Sequence, residues 1–128
     1  MLTKMLQSIL STGAPSTVQD QSGAGGLYVT QQENGSYQAL KILKIDEHGV
    51  HLRLYSNTFS QLPQSIEEST LYLAGIGRKP GEPMGMGHLP VSGDSFEAWH
   101  AHFIQQSTVS PDELDGYEIW KESEGGYF

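Results

Sequence analysis

Five histidines are the residues of this chain best suited to chemistry. His100 and His102 stand two apart. On a β-strand that spacing puts both imidazoles on one face, where they could begin a zinc, iron or nickel site. His88, Asp94 or Glu97 would supply a third ligand. The spacing recurs by chance, however, and neither an H-E-x-x-H helix nor a cupin-like arrangement of Gly, His and Glu accompanies it. The plainer reading is a set of surface or half-buried imidazoles, a pH-sensitive patch because histidine titrates near neutrality. His48 and His51 flank a turn, and His88 closes a stretch rich in Gly and Pro.

The remaining chemistries fare worse. The chain has no cysteine, which removes a thiolate nucleophile, a disulfide framework and thiolate-bound zinc or iron–sulfur. Gly75-Ile76-Gly77-Arg78-Lys79-Pro80-Gly81 has the composition of a phosphate-cradling loop. It lacks the Gly-x-Gly-x-x-Gly offset and the Gly-Lys-Ser/Thr ending, and its prolines remove backbone donors. No Gly-x-Ser-x-Gly elbow is present. Asp112, Glu113 and Asp115 cluster where a helix N-terminus favours carboxylates, so they read as structural. No cofactor is expected.

Charge divides the chain. Residues 1–64 hold four basic and four acidic side chains; residues 65–128 hold three and eleven, and so carry the whole net charge of -8. That balance argues against nucleic-acid binding, which depends on neutralising phosphates, and against an anionic membrane surface. It keeps the protein soluble and offers an acidic face to a protein partner with a basic surface. No run reaches the roughly 18 apolar residues of a membrane span. Met1 to Ala14 carries Lys4 alone and no long apolar core, which argues against a signal peptide. The expected compartment is the cytoplasm.

The elements follow from periodicity. Met1, Leu2, Met5, Leu6, Ile9 and Leu10 fall at helical spacing, predicting a short amphipathic helix within residues 1–11 that must dock on this domain or on another chain, where it could make an oligomer. Residues 12–26, rich in Ser, Thr, Gly and Gln, read as a flexible linker. The domain proper spans 27–128. Leu27 to Thr30 is strand-like. Asn34-Gly35 is a hairpin signal, and Tyr37 to Ile45 forms a second strand whose alternation breaks at Ile42-Leu43, marking a bulge or bend. Asp46 to Gly49 turns into a third strand, in which Val50, Leu52 and Leu54 face inward. Pro63 to Glu68 suggests a helical turn, Thr70 to Ala74 a fourth strand, and Gly75 to Pro90 a long loop. A short helix is expected in 92–100, with Phe96 and Trp99 on one side, and a fifth strand within 101–109. Ser110-Pro111-Asp112-Glu113 opens a last helix through a capping box. Leu114, Tyr117 and Trp120 share its inner face.

Phe96, Trp99, Phe103, Tyr117, Trp120, Tyr127 and Phe128 crowd the C-terminal third. Most should pack helices onto the sheet. Tyr55, Trp99, Trp120, Tyr127 and Phe128 are the candidates for a partner-binding groove. The Gly-Tyr-Phe ending does not match the GYF peptide-binding domain: the spacing from Trp120 is too long and an upstream Gly-Pro-Phe is missing. From residue 27 onward the chain resembles small uncharacterised bacterial proteins. The resemblance rests on His88 to Ser92, Ser95 to Trp99, Asp112 to Trp120 and Gly125 to Phe128, and it implies no established activity.

Together these features predict an α+β domain. Its centre is a bent antiparallel sheet of four to five strands, an SH3-like or Tudor-like half-barrel, with C-terminal helices and a short N-terminal helix. The function expected first is a non-catalytic protein-interaction or regulatory module, adaptor or immunity-like. The alternative is a small metal-dependent enzyme using His100, His102 and His88.

Overall fold

The computed structural model describes residues 23–128; the expected helix of residues 1–11 and most of the expected linker lie outside them. Five strands form one antiparallel sheet: β1 Gly26–Gln31, β2 Tyr37–Ile45, β3 Gly49–Phe59, β4 Met86–Ser92 and β5 His102–Gln106. Their order is β4-β3-β2-β1-β5. Helix α1, Gly93–Ala98, follows β4. A one-turn 3-10 helix, Pro111–Leu114, leads into α2, Asp115–Glu122.

The β1–β2 turn uses Gly35 at φ +90°, a conformation open to glycine at little cost, while the Asn34 side chain accepts the Ser36 N–H. In the β2–β3 turn the Asp46 carboxylate accepts the N–H groups of His48 and Gly49. The β2–β3 register slips between Ile42 and Lys44, so the broken alternation at Leu43 is a bulge, and Leu43 is buried there.

The sheet is covered on both faces. One carries Tyr28, Leu40, Ile42, Val50, Leu52, Leu89 and Val91 against Phe96 of α1. Ser92 caps that helix by accepting the Ser95 N–H. The other carries Leu27, Val29, Ala39 and Tyr55 against Ile66. Lys41, His51 and Arg53 continue this second face beneath the 3-10 turn and α2.

Three sequence expectations are corrected. The fourth strand is not Thr70 to Ala74 but Met86–Ser92. Residues 71–75 form no strand: Asn57 takes the Tyr72 N–H and the Ser56 hydroxyl that of Ala74, so side chains stand where a ladder partner's carbonyls would be. The loop therefore ends at Gly85 rather than Pro90. Pro90 is tolerated because β4 is an edge strand, where a missing N–H can point away from the ladder. Its carbonyl, on that outer side, accepts the Phe128 N–H, and the Phe128 carbonyl accepts the Ser92 N–H. Finally, the helical turn lies at Glu68–Thr70, not over Pro63 to Glu68.

Candidate functional site: a histidine pair and an exposed arm

His51 and His88 meet because β3 and β4 are neighbours. His51 is opposite Pro90 in the register, so His88, two residues before Pro90, is its diagonal neighbour on the same face. His51 Nδ1 lies 2.9 Å from His88 Nε2, and His51 Nε2 lies 2.8 Å from Asp46 Oδ2. The Tyr127 hydroxyl donates to the same Asp46 oxygen. An ionised carboxylate only accepts, so the His51 proton sits on Nε2 and its Nδ1 accepts from His88 Nε2–H. The chain Asp46–His51–His88 is thus polarised in one direction and leaves the lone pair of His88 on Nδ1.

Aromatic rings enclose the pair. The centroids of Trp120 and Tyr117 stand 4.4 and 4.7 Å from that of His51, both edge to face, and Tyr127 stands at 5.5 Å. Trp120 Nε1 donates to the Gly126 carbonyl, which folds the segment after α2 back over the site. Gly116 lets α2 come this close: a β-carbon there would stand 2.6 Å from His88 Cβ.

This environment sets the charges. His51 is fully buried, and burial outweighs the pull of Asp46 to push its pKa down. Burial and the neighbouring His51 hold His88 down at about 4. Burial alone would raise Asp46, but hydrogen bonds from Tyr127, His51 and the backbone N–H groups of His48 and Gly49 hold it at about 2. The base at the end of the chain is therefore neutral and weak at pH 7, poorly matched to proton abstraction. The network fastens α2 and the residues after it to the sheet.

A pH dependence follows. An unfolded histidine titrates near 6.5, whereas folded His88 titrates at about 4. Between those values the unfolded chain takes up a proton that the folded chain refuses, so stability falls as pH drops through that window. Asp46 acts lower. Its contribution is complete above its ordinary value of 3.8 and is lost as pH falls towards about 2. We expect the urea midpoint to decline from pH 7 to pH 4.5, and the decline to shrink in His88→Gln. An equal slope in both proteins would show that His88 is freely protonated in the folded state.

The other candidates are dispersed. His88 lies on one edge strand and His102 on the other. His100 precedes β5 at φ +51°, so His100 and His102 do not share a strand face. Among the described residues no three His, Asp or Glu side chains are grouped to hold a metal. Tyr55 is in the core, with burial and Glu113 pushing its hydroxyl up to about 12. Trp99 is half-buried against Phe96. Trp120 and Tyr127 belong to the histidine site, and Phe128 is 72% exposed. Sequence reasoning missed the partnership of His51 and Asp46. The available signal was a histidine on the face opposite Val50, Leu52 and Leu54, with a turn aspartate five residues before it.

No family model, curated protein or solved structure matches this chain.

A second feature is exposed. Residues 71–86 leave the sheet and return as an arm. The Ser56 N–H donates to the Tyr72 carbonyl and the Gly85 N–H to the Ala74 carbonyl; the Tyr72 hydroxyl donates to Glu82. The arm displays Tyr72, Leu73, Ile76 and Met84, with Met86 exposed where it re-enters the sheet as β4, and Ile76 is 98% exposed. Arg78 and Lys79 sit at its tip, where Glu82 accepts the Lys79 N–H.

Proposed function

We propose that this protein is a non-catalytic protein-interaction module, adaptor or immunity-like, that engages another protein through the arm. The observation that carries this reading is the group of large apolar side chains held out by a hydrogen-bonded arm. Exposed apolar clusters rimmed by polar residues mark interaction sites. The eleven carboxylates of residues 65–128 would steer a partner with a basic surface, and the arm would provide the adhesion. An SH3-like or Tudor-like half-barrel is the finer architecture we propose. It is supported by a four-strand meander whose fifth strand returns beside the first and by register slips that bend the strands.

The test compares capture from the native host by the parent chain and by an Ile76→Asp/Met84→Asp variant. We expect a stoichiometric partner on the parent, weakened by added salt and absent from the variant, with the same melting temperature for both. Equal capture by both chains would overturn the assignment to the arm.

A further inference from the structure

The arm carries the charge opposite to that of the body it leaves. Residues 65–128 hold eleven acidic side chains and three basic ones, Arg78, Lys79 and Lys121. Two of the three stand side by side at the arm's tip. Among the described residues Arg78 and Lys79 have no ion pair, whereas Lys41 is buried on Glu113 and Lys44 lies over the Tyr117 ring. The carboxylate at the tip, Glu82, is already engaged by the Tyr72 hydroxyl and the Lys79 N–H. Two successive turns fix the backbone there. The Arg78 N–H donates to the Gly75 carbonyl and the Glu82 N–H to the Lys79 carbonyl, with Gly81 at φ +82°. They leave an open hollow lined by Ile76, Arg78, Lys79, Pro80, Gly81 and Glu82.

The complementary pattern lies on α2 of the same sequence. Tyr117 and Trp120 turn inward to His51, so the other side of the helix faces solvent. Ile119 stands there, 68% exposed. Asp115 precedes it by four residues and Glu122 follows by three, the spacings of neighbours on a helix surface. Glu118 is spaced in the same way from Asp115 and Glu122. All three carboxylates are exposed and, among the described residues, without an ion pair. Lys121, two positions beyond Ile119, projects from another side of the helix. An isoleucine beside two cations on the arm therefore matches an isoleucine beside three carboxylates on α2. Both isoleucines are exposed within one molecule, so its own arm and helix do not cover each other.

We propose that the arm of one molecule docks on α2 of a second copy of this chain. Ile76 meets Ile119, and Arg78 and Lys79 face Asp115, Glu118 and Glu122. This rests on the reading of the arm as the interaction element and names its occupant. The basic surface that the body's carboxylates steer is then the arm tip of the second copy. Apolar contact supplies adhesion, and the charges fix the orientation. The two patches differ, so the contact is heterologous: reciprocated between two molecules it closes a dimer, and repeated in one sense it builds a chain.

Sedimentation of the full-length protein tests this by exchanging charges. One variant carries Arg78→Glu with Lys79→Glu, the other Glu118→Lys with Glu122→Lys. All four positions are exposed, so both variants should keep the parent melting temperature. The parent should self-associate as its concentration rises. Each variant alone sets like charges against each other and should associate about tenfold more weakly. An equimolar mixture restores both contacts with the signs exchanged and should recover the association of the parent. A parent that is monomeric at every concentration measured, variants that associate as the parent does, or a mixture no stronger than its components would overturn the proposal. A monomeric parent that still captures a foreign protein through Ile76 and Met84 would keep the arm as the interaction element and remove the second copy as its occupant. Neither capture nor self-association would remove both.

Discussion

Glu113→Ala is expected to cost about 3–5 kcal/mol, the usual penalty for stranding a buried charge. Lys41 lies at the centre of the sheet with 7% of its side chain exposed, and Glu113 retains 14%. The Lys41 ammonium donates to Glu113 Oε2 at 3.0 Å and to the Thr108 carbonyl at 2.9 Å. Burial would raise the Glu113 pKa, yet the Ser110 N–H and Lys41 together bring it below its ordinary value. Removing the carboxylate leaves the ammonium in an apolar setting with one carbonyl for company. Replacing Lys41 and Glu113 together by Met should cost far less, because no charge is then left unpaired. Denaturant midpoints of the single and double variants measure the contrast. Equal losses in both would show that Lys41 finds water in the folded state.

Trp120→Ala is the second large effect, at about 3 kcal/mol, the low end of the range for aromatic truncation because the ring is half-exposed. It carries a chemical signature that a simple cavity would not. The indole is one wall of the compartment that keeps His51 dry, so its loss should raise the pH at which His51 titrates, as read by NMR of the ring protons. Asp115→Asn, on the exposed side of the same helix, should cost under about 1 kcal/mol. If Trp120→Ala left stability and titration unchanged but abolished partner capture, Trp120 would be a binding anchor rather than a wall.

The local devices of this fold were legible in the sequence. Asn34-Gly35 and the Asp46 to Gly49 turn fix two hairpins, and the broken alternation at Leu43 is the bulge observed. Ser110 and Glu113 cap as their spacing requires, the Glu113 carboxylate accepting the Ser110 N–H at 2.8 Å. What failed was pairing across the chain. Thr70 to Ala74 has strand composition, but the Asn57 and Ser56 side chains take three of its backbone groups and no ladder forms. Met86–Ser92 looks like loop because Gly87 and Pro90 interrupt it, and an edge position tolerates both. The histidine site was missed for a related reason. His100 and His102 share a spacing but no strand, whereas His51 and His88, 37 residues apart, share a hydrogen bond. Spacing reports only what one element brings together. Register between elements decides the rest, and here it also decides which imidazoles are buried.

The backbone pairing of Phe128 with β4 bears on how these molecules behave towards one another in concentrated solution. A sheet edge with free N–H and C=O groups is a template on which a second sheet can grow. On β4, the carbonyl of Pro90 and the N–H of Ser92 are already occupied by Phe128, and Pro90 has no N–H to offer. That stretch of edge offers a second sheet no template while Phe128 is paired to it, and the neighbouring Tyr127 hydroxyl donates to Asp46. One short segment of chain thereby covers a sheet edge and holds the carboxylate that orients the His51–His88 pair.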